Sequence, residues 1–425
     1  MDTVKLLQGP KQYAQRVGML SRNARLFLLA TTLQGLSSGM WVVIFNLYLK
    51  NIGFQDNFIG NVFTAGAIAT GLIALPAGLF CERVGAKRAM LISLTANFAS
   101  LVQIIFLQPS ILLVASFTAG IIGTIGGVAG APFMMENSEK EERTHLFSLN
   151  WALMVIMGVI GGLAGGVMPN VLNTVLGLPV GAKTGSPVGY RITLAISVIL
   201  ALSALIPFFL LKEKKVQRQR VATLLSLHNI QSPSIIVKFM IPAALIGFGA
   251  GFIVPLFNIF FYDKFGATNE QVGIIYALGN VTIGIGTLVA PVLSRRMGKV
   301  KSIVGCEFLS IPFIMLITVS PGLGFGATAF IFRGALMNMA GPINTTLQME
   351  LVSETERATT SGFMVAADNI PRAITASISG EMMTQKDFLT PFLITTITYI
   401  MASSLFLTFF RKAEKIKEKN NAVKD

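Results

Sequence analysis

The sequence predicts an all-α polytopic membrane protein, with twelve transmembrane helices in two pseudo-symmetric six-helix bundles. Three observations carry this expectation. First, 53% of the 425 residues are hydrophobic and 13% are charged, with a mean hydropathy of +0.67, whereas an average soluble domain carries about 25% charge. Second, the apolar residues gather into twelve runs, each near the roughly 20 residues that cross a hydrocarbon core of about 30 Å. Third, the runs divide six and six about a polar stretch, and the two sets repeat one another.

The spans are expected at 26–49, 57–81, 87–107, 111–135, 146–169 and 192–211 in the first set. The second set is expected at 235–262, 270–293, 302–319, 323–349, 359–382 and 388–410. This gives an N-terminal segment 1–24, a bundle 25–211, a linker 212–234, a second bundle 235–411 and a tail 412–425. The leader carries Lys5, Lys11, Arg16 and Arg22 without the separate apolar region of a signal peptide. Cys81 and Cys306 are too few for a disulfide scaffold or a metal cluster and read as small packing residues.

The net charge of +14 would suggest nucleic acid in a soluble protein, but here it is an orientation signal. Lys and Arg accumulate on the cytoplasmic side of membrane proteins. With the N-terminus inside, cytoplasmic segments hold 27 of them and outer loops five: Lys50, Lys183, Arg191, Lys264 and Lys386. Both termini are therefore expected in the cytoplasm and the chain in the cell membrane. The expected partners are the lipid bilayer, a small-molecule substrate and protons, with no nucleic acid, and the chain is expected to be a monomer.

Sliding the second half over the first exposes the repeat. Gly53, Gly60, Gly66, Gly71 and Gly85 recur 213 residues later as Gly266, Gly273, Gly279, Gly284 and Gly298. One-residue gaps then align Phe45-Asn46 with Phe257-Asn258, Met135-Glu136 with Met349-Glu350, Glu142-Arg143 with Glu356-Arg357, and Gly166 with Gly380. Parallel six-helix halves related by an axis along the membrane normal imply a transporter with its site between the halves, near mid-membrane.

After span 2 the chain reads Gly78-Leu-Phe-Cys-Glu82-Arg83-Val-Gly85-Ala-Lys87-Arg88. This resembles the signature loop of the major facilitator superfamily, G-x-x-x-D-R-x-G-x-R/K-R/K, with Glu82 in place of the usual Asp. A worn copy follows span 8, with Arg295, Arg296 and Gly298, Arg295 replacing the acid. The resemblance implies a cytoplasmic gate at these positions, with Glu136 and Arg143, and Glu350 and Arg357, as further gate charges. Gly158, Gly161, Gly162, Gly165 and Gly166 in span 5 resemble the glycine motif of the family's antiporters, with Gly162 where Pro is expected. Small residues at such spacing also let helices approach closely in lipid. Family drug exporters tend to carry an Arg in span 4, where this chain has Ser116, Phe117 and Thr118.

Charged residues at mid-bilayer are costly and usually functional. Four remain inside spans, all in the second half: Glu307, Arg333, Asp368 and Arg372. Asp368 and Arg372, at i and i+4, share a helix face, and Arg333 is expected at a similar depth. The three are read either as a proton-coupling site centred on Asp368, with a positive surplus that would suit an anionic substrate, or as a structural brace. Glu307 is expected on a peripheral helix, in a structural or snorkelling role. The polar cavity candidates are Gln34, Ser38, Trp41, Phe45 and Asn46 on span 1, with Phe252, Asn258, Tyr276, Asn280, Asn338 and Asn344 in the second half. Neither His145 nor His228 lies at mid-membrane. With no nucleotide-binding loop and no Cys/His cluster, neither cofactor nor metal is expected. The expected activity is proton-coupled efflux of a small organic solute by alternating access, without enzymatic chemistry. Uptake of a small anion or sugar, or lipid flipping, is the alternative, and a polytopic sensor or enzyme is the reading from a different class.

Overall fold

The computed structural model describes residues 21–137, 143–180, 185–212, 232–352 and 357–421. The N-terminal segment up to residue 20 and most of the expected linker lie outside the described residues. Those described form helices joined by short turns, with no strand among them.

Span 1 is Arg22–Asn51 and span 2 is Asp56–Val84. Span 3 is broken at Thr95 into Ala86–Leu94 and Ala96–Ile105. Span 4 is Pro109–Glu136, with proline in the first turn, where its missing N–H costs nothing. Span 5 is Arg143–Val175, and span 6 is Pro187–Ser203 continued by Leu205–Phe209. Span 7 runs Pro233–Ile253, tightens to a 3-10 turn at Val254–Leu256, where Pro255 interrupts the hydrogen-bond ladder, and resumes as Phe257–Phe265. Spans 8 to 12 are Asn269–Met297, Lys299–Val319, Leu323–Leu351, Arg357–Thr384 and Leu389–Asn421.

Among the described residues, ten helical stretches are long and apolar enough to cross a membrane by length and composition alone. Span 8 lies against span 5 and span 11 against span 2, so each meets the opposite half of the molecule along part of its length. A helix that faces protein there tolerates polar residues that lipid would penalise.

Within the first half, span 1 packs on spans 5 and 6, and span 2 on span 4. Within the second, span 7 packs on spans 11 and 12, span 8 on span 10, and span 9 on spans 10 and 12. The apolar cores show how the halves are joined. Phe27, Phe133 and Phe208 belong to a core inside the first bundle, and Phe239, Ile343 and Phe410 to one inside the second. Both lie toward the end of the molecule that carries Arg88 and Arg296. Toward the opposite end, marked by Lys50, a single core runs through both halves, from Val43, Tyr48 and Tyr190 to Phe257, Phe260 and Met383.

The backbone carries the repeat as well. Among the described residues five glycines have positive φ, and four are repeat partners: Gly53 and Gly266 at +102° and +65°, Gly85 and Gly298 at +92° and +84°. Each closes a helix where an L side chain would be strained.

Candidate functional site

The contact between the halves is built twice by the same device. Asn46 of span 1 donates to the carbonyl of Pro255 (3.0 Å) and to Oδ1 of its repeat partner Asn258 (3.2 Å). Asn258 in turn donates to the carbonyl of Val43 (3.3 Å). Each amide thus reaches the carbonyl three residues before the other, as a two-fold axis between them requires.

The glycines repeat this reciprocity. A Cβ on Gly166 would stand 2.7 Å from the carbonyl oxygen of Asn269, and one on its partner Gly380 would stand 2.5 Å from that of Asp56. Likewise a Cβ on Gly273 would come within 2.9 Å of the Gly162 carbonyl, and one on Gly60 within 2.6 Å of the Ala376 carbonyl. Spans 5 and 8, and spans 2 and 11, therefore approach backbone to backbone, so closely that even an alanine Cβ at these positions would force them apart. The glycine motif of span 5 serves both of its neighbours. Gly158, Gly161 and Gly165 meet span 1 at Gly39, Leu36 and Met40, while Gly162 and Gly166 meet span 8.

Polar groups lock the Lys50 end of these contacts. Asn57 donates to Glu381 (2.9 Å), and its backbone N–H donates to Thr384 (3.1 Å). The equivalent contact places Asn170 on Glu270 at 2.8 Å. Lys50 lies between Asp56 of its own half (2.6 Å) and Asp263 of the other (2.5 Å), both carboxylates almost fully buried. Lys386 adds a longer contact to Asp263, 3.4 Å. These are the functional residues that sequence reasoning missed. Lys50 counted only as a loop charge there, although Lys50 and Asp263 end repeat-equivalent spans with opposite signs.

At mid-depth Arg372 holds Asp368 through both carboxylate oxygens at 2.7 Å, with both side chains partly exposed. Ile370, Ile374 and Ile378 project from span 11 on another face and are exposed. The backbone beside Asp368 and Arg372 lies against Gly247 and Gly251 of span 7. The expected cluster of three does not form. Arg333 is buried elsewhere, its guanidinium on the Tyr399 hydroxyl (2.8 Å) and over the rings of Phe257 and Tyr399. It makes no ion pair with Asp368, so the positive surplus expected there is absent. Glu307 is also buried, accepting from Ser403 at 2.6 Å. It therefore does not snorkel.

The cavity candidates divide. Phe45 stacks on Trp41 at a centroid distance of 4.4 Å. With Asn46, Phe252 and Asn258, Phe45 is packed into the joined end where the two halves meet. Tyr276 packs against the same core. Ser38 and Asn338 are exposed, and Gln34, Asn280 and Asn344 are half-buried.

At the Arg88 end, Lys87 ties span 3 to span 6 by donating to the carbonyls of Phe209 (3.0 Å) and Leu211 (2.5 Å). Lys299 pairs with Glu350, joining spans 9 and 10. Arg88, Arg295 and Arg296 are exposed. The side chains of Glu82, Arg83, Glu136, Arg143 and Arg357, and the surroundings of Gly78, lie outside the description. The Lys87 and Lys299 contacts each stay within one half.

A family model described as Major Facilitator Superfamily matches residues 27–237 and 239–425. No curated protein matches by sequence. Among solved structures the fold resembles the nucleoside transporter NupG, at a TM-score of 0.74 and 15% identity over 91% of this chain and 99% of that one. A bacterial homologue of the human lysosomal transporter Spinster, in an inward-facing unoccupied conformation, scores 0.71 at 13% identity over 95% and 98%. A D-xylose-proton symporter scores 0.66 at 16% identity over 91% and 96%. Two six-helix halves, joined reciprocally and matched to the family model along nearly their whole length, make this chain a member of the major facilitator superfamily and a secondary membrane transporter.

Proposed function

We propose that the chain exports a small organic solute across the cell membrane in exchange for protons, by rocking its two halves about the axis between Asn46 and Asn258. Both termini are cytoplasmic in this reading, because the basic residues concentrate at the Arg88 end. The Lys50 end then faces outward, and the conformation described is sealed outside. One observation carries the proposal: the halves share a core and cross-half polar contacts at the Lys50 end, and keep separate cores toward the other. Such an interface can open at one end as it closes at the other.

Proton coupling is assigned to Asp368, a mid-depth carboxylate whose charge Arg372 balances. In this reading a solute that competes for Arg372 breaks the pair and leaves the Asp368 carboxylate free to take up a proton. The test is proton movement into proteoliposomes when solutes from a resistance-and-uptake screen are added. Wild-type protein is expected to move protons with solute, and Asp368→Asn to move solute without them. Equal proton flux in both overturns the assignment.

A second reading, proton-linked uptake of a neutral polar solute, is favoured by the neutral Asp368–Arg372 pair and by neighbours whose names specify nucleosides and D-xylose. The direction in which an imposed pH gradient drives solute separates the two readings.

A further inference from the structure

Two ionisable side chains of the second bundle are buried apart from the Asp368 site, and their partners lie on one face of span 12. Arg333 of span 10 donates to Tyr399, and Ser403 donates to Glu307 of span 9. Tyr399 and Ser403 are four residues apart, one helical turn or about 6 Å along the axis. Glu307 is 4% exposed and Arg333 5%. No ion pair joins them, and the Nε of Arg333 is buried without a hydrogen-bond partner.

Each group is half provided for. The guanidinium has aromatic faces from Phe257 and Tyr399, which stabilise a desolvated cation, yet one donor remains unused. The Glu307 carboxyl has a neutral hydroxyl donor and, among the described residues, no cation within ion-pair distance. A carboxylate so buried in a membrane protein is costly unless it is paired. The groups that face this pocket are few. Span 10 brings Arg333, span 12 brings Tyr399, and span 9 itself adds Cys306, which meets Met339. Span 8 touches span 9; its charges are Glu270, held by Asn170, at one end and the exposed Arg295 and Arg296 at the other, with Tyr276 packed against the shared core. Span 7 contributes Phe257 here; its charges, Lys238, Asp263 and Lys264, lie toward its ends.

We infer that Glu307 and Arg333 form a second proton-binding couple inside the second bundle, open in this conformation and closed when Glu307 ionises. With its proton, Glu307 rests on Ser403 and Arg333 rests on Tyr399. When the carboxyl O–H bond breaks, the proton leaves to water and the carboxylate is drawn one turn along span 12 to the free Nε. Because that move pulls spans 9 and 10 together along span 12, proton occupancy becomes packing within the bundle. The site is separate from Asp368 and does not depend on its role.

Infrared difference spectra of the full-length protein in lipid vesicles, recorded across a pH series, test this. Wild type is expected to show the carbonyl stretch of a buried protonated carboxylic acid that fades as pH rises. Glu307→Gln should lack that band and Asp368→Asn should keep it. In Arg333→Gln the band should persist about 1–3 pH units higher, the range over which a neighbouring cation acts on a carboxyl group. Tyr399→Phe frees the guanidinium while keeping its charge, so the band should fade at lower pH. This variant serves if Arg333→Gln does not fold. A wild-type spectrum without the band, or a band whose midpoint neither variant moves, overturns the couple.

Discussion

At the scale of single residues, the account rests on positions where one atom more or less decides whether helices meet. Gly166 lies against the backbone of span 8, so Gly166→Leu forces spans 5 and 8 apart at the Lys50 end. Cysteines placed at Asn170 and Glu270, which now share a hydrogen bond, should cross-link readily in the parent and several-fold less in that variant. Gly85 is constrained by its backbone instead. At φ +92° and ψ 147° it occupies a region essentially reserved for glycine, so Gly85→Ala should cost about 1–3 kcal/mol, read as a lowered midpoint of thermal unfolding. Asp387 begins span 12 by accepting from the backbone N–H groups of Leu389 (3.1 Å) and Thr390 (3.0 Å). The side-chain hydrogen bond with Thr390, then these backbone donors, hold its carboxyl below the ordinary carboxylate range. The sign follows. The stabilisation is complete above the carboxyl's unfolded pKa and is lost as pH falls through the lower folded value. Asp387→Ala should therefore lower stability near neutral pH by about 1 kcal/mol and make little difference in strong acid, as unfolding midpoints at the two pH values would show.

Among elements, legibility depended on the kind of signal. Apolar run length found all twelve spans, including span 11, which carries Asp368 and Arg372 and lies partly against span 2 of the other half. The 213-residue offset pairs glycines that share positive φ, and with a one-residue gap it pairs Asn46 with Asn258, which bond reciprocally. Such a signal survives in one dimension because duplicated helices keep the residues that close approach demands. Depth along a helix is a poorer guide. Arg333 and Asp368 fall at similar depth, yet Arg333 turns toward span 12 and Asp368 toward its own Arg372, and periodicity does not reveal which neighbour a long side chain will choose. The Lys50 latch escaped for a related reason. A lysine at a helix end looks like any loop charge until span 7 is known to end beside it. Removing that lysine leaves Asp56 buried without its cation and Asp263 with only the longer Lys386 contact, a loss of roughly 3–5 kcal/mol for the closed arrangement. Lys50→Ala should therefore make a cysteine at Asn46 reactive toward a membrane-impermeant thiol reagent, and restoring the lysine should restore protection.

For the whole molecule, the separate cores inside each half and the shared core at the Lys50 end describe two rigid bodies joined at one end. Spin labels at Gln55 and Gln385 report that end, and labels at Arg88 and Arg296 report the other; all four positions are exposed. Electron–electron distance measurements on both pairs in lipid vesicles test the rocking of the halves most directly. The expected result is a short, narrow distance for Gln55–Gln385 and a long one for Arg88–Arg296, with Lys50→Glu lengthening the first while shortening the second. Distances that both stay fixed in that variant, or that lengthen together, would contradict alternating access about the Asn46–Asn258 axis.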